Sequence, residues 1–195
     1  LRCAAGRVPV FCHAGRAASS PGARSGCLTG LFGRTFCPAG EILSEKETQM
    51  LVIMRHGEAQ ATPGSSGDRA LIAAGRAEAR EKFAKMFTNN PVFDHVYCST
   101  KLRARETLDE TFHSMKHGKI IYTEMLKPSG DPVKVADELR ELTGNTLVVS
   151  HLPLVELLVD ELCGAGSCKG FGYSDIYVLK KGEDGSFSVE RSSLD

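Results

Sequence analysis

The fold is decided by one short stretch, Leu51-Val-Ile-Met-Arg-His-Gly-Glu-Ala59, in which apolar residues lead straight into polar chemistry. Residues 50–54 form an apolar run that is too short for a helix, and such a run predicts a buried strand. The strand leads into Arg55, His56 and Gly57. In open α/β sheets, ligands bind outside the carboxyl ends of the strands. We therefore expect a functional site directly after this strand.

The remaining sequence alternates between predicted helices and predicted strands. Apolar residues at helical spacing predict helices over residues 71–87, 102–115, 131–142 and 153–162, and short apolar runs predict strands over residues 92–98, 120–122 and 147–149. Two last strands, residues 176–179 and 187–189, flank a glycine-containing turn. This pattern predicts an α/β fold, a three-layer αβα sandwich with a mostly parallel sheet and an antiparallel edge formed by the final hairpin.

Length and composition fit a single globular domain with a tail. The chain has 195 residues, of which 42% are hydrophobic and 25% are charged, as is usual for globular proteins. Its apolar runs fall far short of the roughly 20 residues that a membrane-spanning helix needs. We therefore expect no membrane partner, and we expect a monomer.

The first 45 residues differ in composition from the rest of the chain. Five of the 24 basic side chains lie in the first 40 residues, all of them arginines, and no acidic residue precedes Glu41. Residues 1–45 are expected to be disordered, and their composition is typical of a transit peptide to a plastid or mitochondrion. A tail without a targeting role, which would leave the protein in the cytoplasm, and a fragmentary or flawed gene model stay open.

Residues 46–195 form the predicted globular domain. From Glu41 onward the chain carries 19 basic and 24 acidic side chains, a net charge of −5. Because nucleic-acid affinity comes mainly from basic surfaces, we expect no nucleic-acid partner.

The sequence predicts neither a metal site nor an organic cofactor. The seven cysteines contain no CxxC pair, so the usual pattern of a zinc ribbon or a disulfide framework is lacking. His113 and His117 lie four residues apart, but no third ligand is evident. We expect both at the exposed end of a helix.

Two other predicted strands end in polar residues as the first one does. The strand over residues 147–149 leads into Ser150 and His151, and the strand over residues 92–98 leads into Ser99, with Arg103 about one helical turn later. Because parallel strands end at the same edge of a sheet, two histidines and two arginines are expected to meet in one crevice.

This set of side chains suits the chemistry of phosphate. Guanidinium groups such as those of Arg55 and Arg103 bind phosphoryl oxygens in a bidentate manner. Gly57 has no Cβ and allows the backbone to approach a ligand closely, and the helix that begins near Pro153 would point its positive end at the crevice. A neutral imidazole can attack phosphorus while a second one stabilises charge on the oxygens.

Several ordered segments resemble the histidine phosphatase (phosphoglycerate mutase-like) superfamily and, more narrowly, SixA-type phosphohistidine phosphatases. Besides residues 51–59, they are Asp68-Arg69-Ala-Leu71 with Gly75, Cys98-Ser-Thr-Lys-Leu-Arg-Ala-Arg-Glu-Thr107, Pro128-Ser-Gly-Asp131 and Val148-Val-Ser-His-Leu-Pro-Leu154. The resemblance covers residues 50–190. The short interval between Arg103 and His151 is similar to that of the compact SixA-type members.

The resemblance implies a phosphoglycerate mutase-like fold and a phosphatase that needs no cofactor. It implies that His56 is the catalytic nucleophile and becomes transiently phosphorylated. Arg55, Arg103 and the second catalytic histidine, His151, would complete the phosphate pocket. The implied partner is a phosphorylated protein of the histidine phosphotransfer type or a small phosphorylated substrate.

Many members of the family also use a carboxylic acid to protonate the leaving oxygen. The candidate here is Glu124, although the spacing leaves open whether Glu124 or Met125 takes that position. SixA-type enzymes differ from these members in lacking a dedicated acid, and the resemblance implies the same here. That departure favours phosphohistidine, whose leaving group is expelled easily, over an alkyl phosphate ester.

Two alternatives remain beside a protein phosphohistidine phosphatase. One is a phosphomonoesterase acting on small metabolites, which an acid near Glu124 would support. The other is a catalytically inactive phosphate-binding module, which the loss of one histidine would indicate. Both His56 and His151 are present.

Overall fold

The computed structural model describes residues 49–64 and 67–194. The predicted tail over residues 1–45, with its targeting role, lies outside the described residues. Within them, no helix is long and apolar enough to span a membrane.

Six strands and four α-helices make up the described part of the chain. In chain order they are β1 (Met50–Arg55), α1 (Ala73–Met86), β2 (Val92–Ser99), α2 (Leu102–Thr111), β3 (Lys116–Thr123), α3 (Pro132–Glu141), β4 (Thr146–Ser150), α4 (Leu154–Cys163), β5 (Ile176–Lys181) and β6 (Phe187–Ser192). Short 3-10 turns lie at Phe112–Ser114 and Glu124–Leu126. The strands form one sheet in the order β3-β2-β4-β1-β5-β6.

The sheet confirms the predicted mixture of parallel and antiparallel pairing. β1, β2, β3 and β4 run parallel, whereas β5 pairs antiparallel with β1 and β6 antiparallel with β5. The parallel strands therefore end at one edge, and the closing hairpin supplies the antiparallel edge of the sheet.

Two hydrophobic cores lie on opposite faces of this sheet. Successive side chains of a strand point to opposite faces, so Leu51 and Ile53 of β1 pack with residues of α3 and α4. Val52 and Met54 pack instead with residues of α1 and α2. The domain is thus the predicted three-layer αβα sandwich.

β3 is longer than its predicted extent of residues 120–122. Its first half, from Lys116 to Lys119, is exposed and held by pairing with β2, so no apolar pattern marks it as a strand. The helix before it ends at Thr111, whose hydroxyl donates to the Leu108 carbonyl over 2.7 Å, and not at residue 115.

This change also moves the histidine pair. His113 lies in the 3-10 turn and His117 in β3, so the prediction that both lie at a helix end is wrong for His117. Within residues 49–64 and 67–194, no group of three or more His, Cys, Asp or Glu side chains could hold a metal ion.

Candidate active site

The ends of three parallel strands bring the predicted site residues together. His56 follows β1, His151 follows β4, and Arg103 lies in the first turn of α2, just after β2. The centroids of the two imidazole rings are 4.9 Å apart, and Nε of Arg103 donates to Nε2 of His56 over 3.2 Å. Both histidines are buried, with 5% and 1% of their surfaces exposed.

The contacts of His56 place the ring proton on one nitrogen and the lone pair, which accepts from Arg103, on the other. Its Nδ1 lies 2.7 Å from the carbonyl oxygen of Gly57. Because a carbonyl oxygen can only accept, we assign the ring proton to Nδ1. Nε2 then carries the lone pair that a nucleophile needs. The backbone N–H of His56 donates to the Ser150 carbonyl over 3.0 Å, which ties the end of β1 to the end of β4.

The contacts of Gly57 differ from the close approach to a ligand that was expected from the sequence. Its N–H donates to the Thr107 hydroxyl over 3.0 Å and its carbonyl accepts from His56, so both backbone groups are already bonded. A Cβ on Gly57 would lie 2.8 Å from the Gly75 carbonyl oxygen. The structure therefore gives Gly57 a role in packing and in orienting His56, rather than in direct contact with phosphate.

His151 is held through one nitrogen and has the other one free. Its Nε2 lies 2.7 Å from the Ser99 hydroxyl, whereas its Nδ1 is buried and has no hydrogen-bond partner among the described residues. Ser99 was noted in the sequence only as the end of a strand. An unpaired polar atom in a buried site is costly, so Nδ1 is a candidate contact for a bound ligand.

Arg103 is oriented by an acidic side chain that the sequence analysis did not single out as a site residue. Oδ1 of Asp68 lies 3.5 Å from a terminal nitrogen of Arg103, and Oδ2 accepts from the N–H of Leu102 at the start of α2 over 2.8 Å. Asp68 thus links the loop after β1 to α2. In the sequence, Asp68 stood out only as the first residue of the Asp68-Arg69-Ala-Leu71 segment that resembles the family.

Arg55, the last residue of β1, is held by the loop before β5. Its terminal nitrogen Nη1 donates to the Phe171 carbonyl over 2.7 Å, and its guanidinium carbon lies 4.3 Å from the centroid of the Tyr173 ring. Tyr173 carries no signal in the sequence motifs. The aromatic ring of Tyr173 lies 6.1 Å from that of His56, so Arg55 and His56 border the same space.

Burial and surrounding positive charge keep both histidines neutral. Burial, together with the charges of Arg103, Arg55 and Arg69 and against the opposing effect of the bond to Gly57, lowers the pKa of His56 to about 4. Burial also lowers the pKa of His151 to about 2, again with help from His56 and Arg103. Two uncharged imidazoles beside guanidinium groups suit a ligand that brings its own negative charge.

Glu124, the candidate acid, lies in the 3-10 turn after β3. Its side chain is 65% exposed and forms an ion pair with Lys127. Its carboxylate also accepts a bond from the Thr100 hydroxyl over 2.5 Å. The described contacts do not include one between Glu124 and either histidine. Met125, the other residue at this position, has no acidic group.

Comparison with known proteins agrees with this geometry. Residues 51–128 match the family model described as histidine phosphatase superfamily (branch 1). Phosphohistidine phosphatase SixA of Escherichia coli (strain K12) is 34% identical over 148 residues, which cover 72% of this chain and 91% of SixA. A SixA homologue of Haemophilus influenzae is 31% identical over 128 residues, which cover 58% of this chain and 77% of the homologue.

The solved structure of the protein histidine phosphatase SixA in complex with tungstate has a similar fold. It superposes with a TM-score of 0.66 at 31% identity and covers 74% of this chain and 96% of that one. The matched segments cover 91% and 77% of the two relatives and 96% of the solved structure. The chain belongs to the histidine phosphatase superfamily and is a phosphatase of its SixA-type group.

Proposed function

We propose that the protein hydrolyses phosphohistidine on a protein partner and that His56 is phosphorylated during the reaction. One observation carries this proposal: the neutral His56 ring has its Nδ1 bonded to Gly57 and its Nε2 lone pair beside the Arg103 guanidinium. The site thus holds a preorganised nucleophile and cationic donors. The Asp68 carboxylate beside Arg103 accepts from the N–H of Leu102, and the described contacts of the candidate acid Glu124 are to Lys127 and Thr100.

In the first step, the Nε2 lone pair of His56 attacks phosphorus. A new N–P bond forms, and the N–P bond of the substrate breaks, with its electron pair remaining on the departing imidazole nitrogen. The substrate ring reacts with a proton on its other nitrogen, so it leaves as a neutral imidazole. Arg55 and Arg103 would bind the phosphoryl oxygens, where negative charge must be balanced in the transition state. Nδ1 of His151, buried and without a partner, would donate to a third oxygen.

In the second step, a water molecule attacks the phosphoryl group on His56. The N–P bond breaks, its electron pair returns to Nε2, and inorganic phosphate leaves with the oxygen of the water. No redox change and no further reactant is needed. The bond from Nδ1 to Gly57 holds the ring in one orientation through both steps.

The surroundings of Glu124 favour phosphohistidine over an alkyl ester. An alkoxide is a poor leaving group and needs a general acid, whereas a neutral imidazole leaves readily because its conjugate acid has a pKa near 6.5. Glu124 is engaged by Lys127 and Thr100 and does not have to move for such a substrate. The name of the Escherichia coli relative, phosphohistidine phosphatase, agrees with this choice.

The test uses one peptide sequence in two forms, carrying either phosphohistidine or phosphoserine. We expect the full chain to release phosphate from the phosphohistidine form at least a hundredfold faster. His56→Ala should abolish both turnover and the acid-labile phosphate label on the enzyme. Glu124→Gln should leave turnover of phosphohistidine unchanged.

Two outcomes would contradict the proposal. Comparable turnover of the two peptides, with a loss of phosphoserine turnover in Glu124→Gln, would identify a phosphomonoesterase. Persistent labelling of the His56→Ala chain would identify another nucleophile. Arg105→Gln is a suitable control, since Arg105 lies in α2 with Arg103 but is exposed and stacks on Tyr122.

A further inference from the structure

Tyr173 covers the guanidinium group of Arg55 at the mouth of the site. The guanidinium carbon lies 4.3 Å from the ring centroid, which is within the range of a cation–π contact. Tyr173 is 38% exposed to solvent, and the centroid of its ring lies 6.1 Å from that of the His56 ring. The aromatic ring is therefore next to the reacting group without being part of the hydrophobic core.

The segment that carries Tyr173 is fixed to the site by several hydrogen bonds. Nζ of Lys82 donates to the Tyr173 carbonyl over 2.8 Å and to the Asp175 carboxylate over 2.7 Å. The N–H of Ser174 donates to the His56 carbonyl over 3.2 Å, with Ser174 in the left-handed region at a φ of 56°. The position of the Tyr173 ring is thus determined by the same backbone that holds His56.

The contact leaves the hydrogen-bonding capacity of Arg55 largely free. The N–H groups of a guanidinium lie in its plane, whereas an aromatic ring covers its face and takes none of them. The Phe171 carbonyl takes one N–H, and the buried Nε has no partner among the described residues. Arg103, by contrast, has a carboxylate beside it, that of Asp68, which offsets part of its charge.

We propose that Tyr173 is a positioning residue, which holds Arg55 in the orientation that binds the anion while leaving its charge and its donors available. The inference rests on the proposed function only in taking a phosphoryl group as the anion. An aromatic ring is suited to this role because a carboxylate would neutralise Arg55 and compete with the ligand.

The experiment measures the binding of tungstate, the oxyanion bound in the related SixA structure, by calorimetry on the full chain. Tyr173→Leu keeps an apolar side chain but removes the ring, and we expect it to weaken tungstate binding about tenfold. Tyr173→Phe keeps the ring and should bind within about twofold of the unchanged protein. Arg55→Ala weakens binding by itself, and in that background Tyr173→Leu should have no further effect.

A merely structural role for Tyr173 would give a different pattern. Equal losses for the Leu and Phe variants, or an undiminished effect of Tyr173→Leu in the Arg55→Ala background, would overturn the inference. Tyr173→Met, which also lacks the ring, should repeat the result if the Leu variant folds poorly. Binding is measured without turnover, so the two proposals can fail separately. If tungstate binding follows this pattern but the protein does not hydrolyse phosphohistidine, the proposed substrate is wrong and the role of Tyr173 stands.

Discussion

The hydroxyl of Ser99 lies 2.7 Å from Nε2 of His151, and this bond determines which nitrogen of the ring carries the proton. The Ser99 oxygen also accepts a weak bond from the N–H of Lys101 over 3.4 Å. Because the described hydrogen bonds give the buried hydroxyl no acceptor other than His151, we assign its proton to the bond with the imidazole. A neutral imidazole that accepts at Nε2 carries its hydrogen on Nδ1. Nδ1 is then a donor without a partner in the described part of the chain, ready for a phosphoryl oxygen.

Replacing Ser99 with Ala should therefore impair the site through His151. We expect tungstate binding to weaken about tenfold. Without the hydroxyl that donates to Nε2, the buried ring is no longer held in one tautomer. The nitrogen chemical shifts of His151 should show a single Nδ1–H tautomer in the unchanged protein and a mixture of tautomers in Ser99→Ala.

The neighbouring Thr100→Ala is the control for this prediction. Thr100 donates to Glu124 and not to His151. We therefore expect Thr100→Ala to leave both the His151 chemical shifts and tungstate binding unchanged. If Ser99→Ala keeps the Nδ1–H tautomer, the serine does not orient His151. Ser99→Thr, which keeps the hydroxyl, should restore the single tautomer.

Arg103 and Arg105 provide a matched pair on one helix. Arg103 donates to the Nε2 atom of His56, whereas Arg105 is exposed and stacks on Tyr122 with 5.2 Å between its guanidinium carbon and the ring centroid. We expect Arg103→Gln to lower kcat/KM for a phosphohistidine peptide at least a hundredfold, the usual cost of removing one transition-state donor. Arg105→Gln should change it less than about threefold, and equal losses would contradict the assignment of Arg103 to the phosphate pocket.

Much of this architecture could be predicted because burial follows the strand pattern. The apolar run before Arg55 and the one before Ser150 predicted two parallel strands of one sheet. The structure adds that the two strands are direct neighbours. Parallel strands share an edge, so the proximity of His56 and His151 could be inferred from the positions at which their strands end. The predicted start of the helix over residues 131–142 is likewise confirmed, since the Asp131 side chain accepts bonds from two N–H groups of α3.

The remaining features depend on contacts that no local pattern encodes. The stacking of Tyr173 on Arg55 joins residues far apart in the chain through a loop with no periodicity. The bond from Ser99 to His151 requires the final orientation of both side chains. Glu124 could be recognised as a candidate acid, but only the structure gives its pairing with Lys127 and Thr100.

Gly75 is required by the close approach of α1 to the loop after β1. A Cβ at this position would lie 2.2 Å from the Glu58 carbonyl oxygen and 2.8 Å from the Glu58 nitrogen. The obstacle is backbone, which cannot rotate away as a side chain can. We expect Gly75→Ala to lower the free energy of unfolding by about 2 to 3 kcal/mol, measured by urea denaturation.

Gly64→Ala is the comparison for Gly75→Ala. The nearest atom to a Cβ on Gly64 is the Asp68 carbonyl oxygen at 3.9 Å, an ordinary contact distance, so its midpoint of unfolding should stay nearly unchanged. A Gly75→Ala chain as stable as Gly64→Ala would show that α1 can move away from Glu58 at little cost.

Acid should destabilise the fold through the two active-site histidines. In the unfolded chain each would titrate near pH 6.5, but burial lowers the pKa of His56 to about 4 and that of His151 to about 2 in the folded protein. Between pH 6.5 and pH 4 the unfolded state therefore binds more protons, and stability falls as the pH falls. At pH 5 the loss relative to pH 7 is about 2 kcal/mol for each histidine. Urea denaturation at pH 7 and pH 5 measures the loss of the free energy of unfolding between the two pH values. This loss should be smaller in His56→Asn and in His151→Asn than in the exposed control His117→Asn. Equal losses in all three variants would mean that the buried rings are not the source of the acid sensitivity.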